Sequence, residues 1–170
     1  MSLLNDPPLR DFPDRAIRRL LMDPHNLRDL IADVAGDLAA ALDFDRTEPI
    51  DREFLLEDWR RRESDLLFRV PFRTPAGAPP ALVCVLVEHQ SSPDPSMPLR
   101  MLLYAVLYWE REWKAWEGTH PRSQPLELTP VLPVIFHTGI EPWRTHRELA
   151  ELFAGPPGLR PVAPHWPLLF

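Results

Sequence analysis

The chain has 170 residues, of which 45% are hydrophobic and 26% charged, and this length and composition favour one globular domain over a disordered chain. The formal net charge of -6 gives no general attraction to nucleic acid, so any binding to phosphates must depend on a local cluster of Arg and Lys. The single Cys84 excludes an internal disulfide framework. No segment approaches the roughly 18 consecutive apolar residues of a membrane span, and we expect a cytoplasmic protein.

The first part of the chain predicts a short lead-in followed by helices. Residues 1–13 combine prolines with charges, and we expect them to be disordered up to Asp14, which can cap a helix. A second helix is predicted after Asp23-Pro24, because the apolar residues between Leu27 and Leu42 recur every three to four positions. Residues 43–62 are strongly charged and predict a loop or a short strand.

A β-hairpin is predicted in the middle of the chain. Residues 65–72 and 81–87 are short apolar runs, and the segment between them is rich in proline. If the hairpin is symmetric, the numbers of paired residues add to 153, which places Asp65 opposite Glu88 and Glu63 opposite Gln90. Directly opposed Cβ atoms lie about 5 Å apart, so two carboxylates there repel each other unless a cation or a proton lies between them. A one-residue bulge would change this register.

The second of these strands ends in Glu88-His89-Gln90. Because side chains alternate along a strand, Glu88 and Gln90 share one face and His89 points to the other. Acids from two adjacent strands can bind a divalent cation, which neutralises a phosphodiester and lowers the pKa of an attacking water. Gln90 can orient that water, but an amide cannot act as a general base. On this pattern alone, surface acids at the ends of a hairpin are the commoner interpretation.

The rest of the chain predicts one long helix, one strand and one shorter helix. The helix runs from about Met97 to Glu117, and three of its turns are apolar all round, which predicts a fully buried element. A third strand is predicted at residues 131–136, where Pro133 requires an edge, a bulge or an unpaired N–H. Residues 144–153 predict a last helix, and residues 167–170 are an apolar run that begins like a strand.

Three strings around the hairpin and the third strand carry a specific resemblance. They are RESDLLFRV at residues 62–70, VLVEHQSSPDPSMPLR at residues 85–100 and LPVIFHTG at residues 132–139, with Trp143 beyond them. Over roughly residues 14–143 the chain closely resembles the Rpn (recombination-promoting nuclease) family, also called YhgA-like putative transposases, in the PD-(D/E)XK nuclease superfamily.

This resemblance implies a restriction-endonuclease-like α/β core, in which a mixed sheet of about four strands is flanked by helices. It also implies a metal-dependent DNA endonuclease linked to recombination or mobile elements. Asp65, Glu88 and Gln90 stand at the three signature positions, with Gln90 in the place of the family-typical lysine. Asp65, Glu88 and the backbone carbonyl of His89 would bind Mg²⁺ or Mn²⁺. DNA is the implied partner, and paired strand breaks would favour a homodimer.

The chain departs from the family pattern at several places. Pro13-Asp14 stands where the family usually has His-Asp, Phe136 replaces a tyrosine, and Thr138 splits a His-Gly pair. Members of the family normally continue well beyond the position of Phe170, so we expect residues 14–170 to be one nuclease domain truncated at its C-terminus. Gln90 in the place of the lysine, the acidic net charge and the early end at Phe170 support an alternative, a catalytically inactive remnant that binds DNA or a protein partner.

Other residues have more than one interpretation. Arg100 and Tyr104 on the long helix could contact a phosphate near the positive end of the helix, and a salt bridge from Arg100 to a site carboxylate is an equal alternative. The arginines at residues 60–62 could follow a DNA backbone, although interleaved acids favour a solvated face. The spacing of the histidines matches no zinc motif. We interpret His89, His137 and His165 as structural or surface residues, and the tryptophans Trp109, Trp113 and Trp116 as packing or interface residues.

Overall fold

The computed structural model describes residues 12–50, 66–73, 82–121, 123–156, 161 and 164–170. Its main elements, in chain order, are helix α1 (Phe12–Leu21), helix α2 (Pro24–Ala41), strand β1 (Glu48–Pro49), strand β2 (Leu66–Pro71), strand β3 (Leu82–Gln90), helix α3 (Met97–Thr119) and strand β4 (Val131–His137). The four strands form one sheet in the order β1-β2-β3-β4. β2 is antiparallel to both β1 and β3, and β4 is parallel to β3. The predicted α/β class with a mixed four-stranded sheet is confirmed, and it is consistent with a restriction-endonuclease-like core.

Helices α1 and α2 pack on one face of the sheet. The Asp23 side chain accepts a hydrogen bond from the His25 backbone N–H at 2.9 Å, which satisfies a donor at the start of α2. Leu27 and Ile31 on the apolar face of α2 are completely buried, and they belong to the same cluster as Val87 of β3. The predicted second helix is therefore confirmed, with a kink at Ala35.

The start of α1 differs from the prediction. The helix begins at Phe12, before the predicted cap at Asp14, which is within the range over which helix ends vary. The remaining residues of the predicted lead-in, 1–11, lie outside the described part of the chain. The following charged segment contains a 3₁₀ turn (Phe44–Arg46) and the short strand β1, while residues 51–65 again lie outside the described part.

The register of the β2–β3 hairpin follows the prediction. The six described pairs run from Leu66 opposite Val87 to Pro71 opposite Leu82, and the numbers of each pair add to 153. The predicted pairs of Asp65 with Glu88 and Glu63 with Gln90 lie one and three steps further, outside the described residues. The strand that leads to Glu88 therefore has the register on which the site prediction depends.

Helix α3 packs on the opposite face of the sheet. Met101, Tyr104 and Tyr108 are almost completely buried and form a second apolar cluster with Leu67 and Ile135 of the sheet. The prediction that the helix is buried all round is wrong. The sheet covers one side of the helix, and three apolar side chains on the other side are between a third and a half exposed: Leu99, Leu103 and Val106. No helix in the described part of the chain is long and apolar enough to cross a bilayer.

Strand β4 lies at the end of the sheet, as Pro133 requires. Its outer side is met by the C-terminal tail, where the Leu169 N–H donates to the Pro133 carbonyl at 3.0 Å and the Ile135 N–H donates to the Leu169 carbonyl at 2.8 Å. Because successive N–H groups point to opposite sides of a strand, the missing N–H of Pro133 faces this tail and not β3. The apolar run at the chain end thus forms a parallel bridge with β4, centred on Val134 and Leu169.

The predicted helix at residues 144–153 is wrong in type and length. The structure has a single 3₁₀ turn, Leu149–Leu152. The backbone before it pairs with the tail: the Leu149 N–H donates to the Trp166 carbonyl at 3.3 Å, and the Leu168 N–H donates to the Arg147 carbonyl at 2.8 Å. Backbone groups used in this way are not available to a helix.

Candidate active site

The centre of the candidate site is Glu88, at the carboxyl end of β3. Its side chain faces α3 and is completely buried. One carboxylate oxygen, Oε1, accepts two hydrogen bonds, from Arg100 Nη2 at 2.6 Å and from Gln90 Nε2 at 2.7 Å. The second bond confirms that Glu88 and Gln90 share a face. The first bond is the salt bridge from Arg100 to a site carboxylate, which was one of the two alternatives predicted for Arg100.

Arg100 belongs to the first turn of α3, and its side chain is 8% exposed. Its other arm, Nη1, donates to Asp94 Oδ2 at 2.8 Å, and Nη2 lies 3.5 Å from the Tyr104 hydroxyl oxygen. The guanidinium therefore joins the end of β3 to the loop that follows it. Charged hydrogen bonds of this kind are the stronger ones in proteins, and burial strengthens them further.

Asp94 is in turn fixed by the start of α3. Its Oδ1 accepts from the Ser96 N–H at 2.9 Å and from the Ser96 hydroxyl at 2.6 Å. Partial burial alone would raise the pKa of Asp94, but the hydrogen bonds from Ser96 and the charge of Arg100 outweigh it and hold the pKa below its usual value. Asp94 is thus a carboxylate that keeps the second arm of Arg100 in place.

The other oxygen of Glu88, Oε2, is buried and has no hydrogen-bond partner among the described residues. A buried charged oxygen without a partner is costly, by about 1–3 kcal/mol or more. Such an atom is expected where a ligand completes the site. A carboxylate oxygen is a ligand that Mg²⁺ and Mn²⁺ prefer, so Glu88 fits the cation that the family resemblance implies.

The backbone carbonyls next to Glu88 point in two different directions. The Gln90 carbonyl points toward β4, where it accepts from the Thr138 N–H at 3.0 Å. Because successive carbonyls point to opposite sides of a strand, the His89 carbonyl points toward the β2 side. The described part of β2 begins at Leu66, opposite Val87, so this carbonyl is directed to the end of β2 at which Asp65 stands in the sequence.

The side chain of His89 belongs to the opposite face of β3. Its Nε2 lies 2.7 Å from the Thr138 hydroxyl oxygen, and its ring packs against Phe136 with centroids 6.2 Å apart. His137 also has a structural role, with its two ring nitrogens at 3.1 Å from the Gln90 carbonyl and 2.7 Å from the Glu141 carbonyl. No group of three or more His, Cys, Asp or Glu side chains able to hold a metal ion occurs among the described residues.

Several predicted site residues are placed elsewhere or are not described. Asp65 and the arginines at residues 60–62 lie outside the described part of the chain. Tyr104 is completely buried beside Arg100. Trp109 is a packing residue, because its Nε1 donates to the Thr129 carbonyl at 2.8 Å and its ring centroid lies 6.1 Å from that of Trp166.

Two residues of the site region have roles that the sequence analysis did not assign. Asp94 contacts Arg100, and this contact depends on the path of the loop. Gly139 lies so close to the loop after β3 that a Cβ atom there would overlap with the Ser91 carbonyl oxygen and lie 2.5 Å from His137 Cε1. A glycine just after an edge strand is the one sequence signal for this close approach.

Comparison with known families gives a match over most of the chain. The model of the family described as "Putative transposase, YhgA-like" matches residues 13–166. The chain therefore belongs to this family, and the resemblance found in the sequence is confirmed.

Three curated relatives that match this chain are named recombination-promoting nucleases. Recombination-promoting nuclease RpnD of Escherichia coli O157:H7 is 29% identical over 134 residues, which are 76% of this chain and 47% of the relative. Recombination-promoting nucleases RpnA and RpnC of Escherichia coli K12 are 28% and 24% identical, over 75% and 79% of this chain and over 40% and 41% of the relatives. The chain thus spans less than half the length of these relatives. No solved structure matches the chain.

Proposed function

We propose that this chain is a metal-dependent DNA endonuclease that hydrolyses phosphodiester bonds in recombination or in the movement of mobile elements. Three relatives carry the name recombination-promoting nuclease, and this supports the reaction class. The observation that carries the proposal is Glu88 Oε2, a buried carboxylate oxygen without a hydrogen-bond partner in the described part of the chain, at the end of a core strand. A carboxylate is kept in such a place at a cost to stability, which a function would explain.

The residues that would hold the cation are Asp65, Glu88 through Oε2, and the His89 backbone carbonyl. A bound Mg²⁺ or Mn²⁺ would neutralise charge on the scissile phosphate and lower the pKa of a water. The chain itself fixes the position of Glu88. Glu88 is held by two donors on Oε1, so its free oxygen has one orientation before any cation arrives, which reduces the cost of binding.

Gln90 has two tasks in this proposal. Its amide nitrogen donates to Glu88, and its amide oxygen is left to accept a hydrogen bond from a water or from a group on the substrate. An amide does not take up a proton at neutral pH, so Gln90 orients and does not act as a base. The proton of the attacking water must therefore pass to a group other than Gln90.

The sequence also made Arg100 and Tyr104 candidates for contact with DNA. Both residues are buried, at 6% and 0% exposure, so a contact with a phosphate would require α3 to move. We assign them to the support of Glu88 instead.

A second candidate function is a catalytically inactive remnant that binds DNA or a protein partner. Gln90 at the position of the family-typical lysine favours it, because it leaves this position without a group that can exchange a proton. The net charge of -6 favours a protein partner over DNA within this alternative.

The experiment is a nicking assay on supercoiled plasmid with the 170-residue chain. Nicking is expected with Mg²⁺ or Mn²⁺ and not with EDTA, and Glu88→Gln and Asp65→Asn are expected to reduce its rate at least about 100-fold, by analogy with the loss of other catalytic groups. The matched control is Asp33→Asn, an exposed acid on α2, which should nick at the wild-type rate. Circular dichroism verifies that each variant is folded.

The outcomes separate the two functions. Metal-dependent nicking that persists in both site variants would refute the proposed centre. Absence of metal-dependent nicking, together with DNA binding that Asp65→Asn leaves unchanged, would establish the remnant. Linear product that appears together with nicked circles would favour paired breaks by a homodimer.

A further inference from the structure

We infer that Arg100 determines which divalent cation the site accepts, because it reserves one oxygen of Glu88 and leaves the other to the cation. The inference rests on the proposed function, since it concerns the cation that Glu88 would bind. It assigns to Arg100 the role of a positioning residue that acts through Glu88 and not through DNA.

Glu88 Oε1 is engaged in hydrogen bonds from two sides. Arg100 Nη2 donates to this oxygen at 2.6 Å from α3, and Gln90 Nε2 donates to it at 2.7 Å from β3 itself. Both donors meet the same oxygen, and Oε2 has no hydrogen-bond partner among the described residues. The two oxygens of one carboxylate therefore have different environments.

The guanidinium is itself held in place. Its Nη1 donates to Asp94 Oδ2 at 2.8 Å, and Asp94 is fixed by the N–H and the hydroxyl of Ser96. The Arg100 side chain is 8% exposed, so water does not compete strongly for these bonds. A planar group bonded through both arms in a buried place cannot rotate away from Oε1 without breaking its bonds to Glu88 and Asp94.

The asymmetry of Glu88 has a chemical consequence for cation choice. A carboxylate with one oxygen engaged binds a cation through the other oxygen alone. Mg²⁺ is bound by single carboxylate oxygens and keeps several waters in octahedral geometry, whereas Ca²⁺ takes six to eight oxygens and often both oxygens of one carboxylate. Arg100 therefore favours Mg²⁺ over Ca²⁺ by withholding the second oxygen that Ca²⁺ would use.

The test measures binding of the metal alone to the 170-residue chain. Mn²⁺ is bound first and detected by the loss of the electron paramagnetic resonance signal of free Mn²⁺, and Mg²⁺ and Ca²⁺ are then added as competitors. In Arg100→Gln the affinity for Ca²⁺ relative to Mg²⁺ is expected to rise about tenfold, within the range by which neighbours of a ligand change metal affinity. Arg100→Lys keeps a donor for Oε1 and should restore the wild-type ratio.

The matched control is Asp94→Asn, which weakens the other arm of the same guanidinium and leaves the Glu88 contact in place. A general structural role for Arg100 would lower both affinities together in Arg100→Gln and Asp94→Asn. The inference requires the ratio to change in the first variant and to stay within about twofold of wild type in the second, a small part of the change expected for Arg100→Gln.

Thermal melting checks that the Arg100→Gln variant is folded, because the substitution removes the charged bond from Arg100 to Glu88. If it does not fold, Gln90→Met removes the other donor to Oε1 and should raise the Ca²⁺ to Mg²⁺ ratio in the same direction. An unchanged ratio of Ca²⁺ to Mg²⁺ affinity in the folded variants would overturn the inference. If Mn²⁺ binding is nevertheless lost in Glu88→Gln, the proposed function would still stand. Mn²⁺ binding unaffected by Glu88→Gln would overturn both.

Discussion

The ion pair between Glu88 and Arg100 allows a sharp prediction about stability. Glu88 is completely buried and the Arg100 side chain is 8% exposed, with Oε1 and Nη2 2.6 Å apart. Replacing Arg100 by Met keeps the length of the side chain but removes the counter-charge that the described part of the chain supplies to the buried carboxylate. The loss of one partner of a buried pair costs about 3–5 kcal/mol, a third or more of the roughly 5–15 kcal/mol by which a domain is stable.

A second substitution separates the charge from the packing. Glu88→Gln in the Arg100→Met background replaces the uncompensated carboxylate by an amide of the same shape, and we expect it to recover at least about 2 kcal/mol, since replacing both partners of a buried pair is far less costly than removing one. The same Glu88→Gln change in the wild-type chain should be destabilising, because Arg100 then loses its charged bond to Glu88.

The assay is urea unfolding followed by tryptophan fluorescence, with the free energy of unfolding extrapolated to water for the four members of the cycle. Lys114→Met on the same helix is the control, because Lys114 pairs with Glu110 at 2.7 Å but both side chains are largely exposed. Such a pair contributes about 0.3–0.5 kcal/mol. Equal losses in Arg100→Met and Lys114→Met, or a double variant as unstable as Arg100→Met, would refute the reasoning.

Two further predictions concern the loops next to the site. Gly139→Ala should lower the stability by about 1–3 kcal/mol, because its Cβ overlaps with the Ser91 carbonyl. In Gly118→Ala, on α3, the new Cβ meets no atom within 4 Å, and the stability should rise by up to about 1 kcal/mol. Thermal melts in which both midpoints shift in the same direction would contradict these two expectations. Asp94 has a pKa below its usual value, so its contribution is present above the pKa of the unfolded chain and is lost as the pH falls through the folded value. The stability difference between wild type and Asp94→Asn should therefore be full at pH 7 and shrink below about pH 4, and a difference that is constant from pH 7 to pH 3 would exclude this linkage.

Much of the fold could be predicted because its signals are local. The short apolar run of β3 and the three-to-four spacing in α2 act over neighbouring residues, and the structure confirms both elements. The hairpin register also follows from local symmetry, as the pair Leu66 and Val87 illustrates. The exposed side of α3 could not be predicted, because hydrophobic periodicity shows which residues avoid water and not how many neighbours the fold supplies.

The errors came from contacts between distant parts of the chain. Residues 144–153 have the composition of a helix, but backbone groups at Arg147 and Leu149 pair with the tail near Leu168, and such pairing overrides propensity. At the site, alternation alone predicted that Glu88 and Gln90 share a face. The contact between Glu88 and Arg100 remained one of two alternatives, since it depends on how α3 crosses the sheet.

The position of Arg100 gives a physical reason for Gln90 to stand where the resemblance implies a lysine. A lysine at residue 90 would place a second cation beside Glu88 Oε1, which already accepts from the guanidinium at 2.6 Å, and two cations on one buried oxygen repel each other. An amide donates to the same oxygen without adding charge. The charge partner of Glu88 in the described part of the chain is thus supplied by α3, and the strand position keeps only its hydrogen bond. On this argument Gln90 is compatible with a working carboxylate at residue 88, because the positive charge is displaced and not lost.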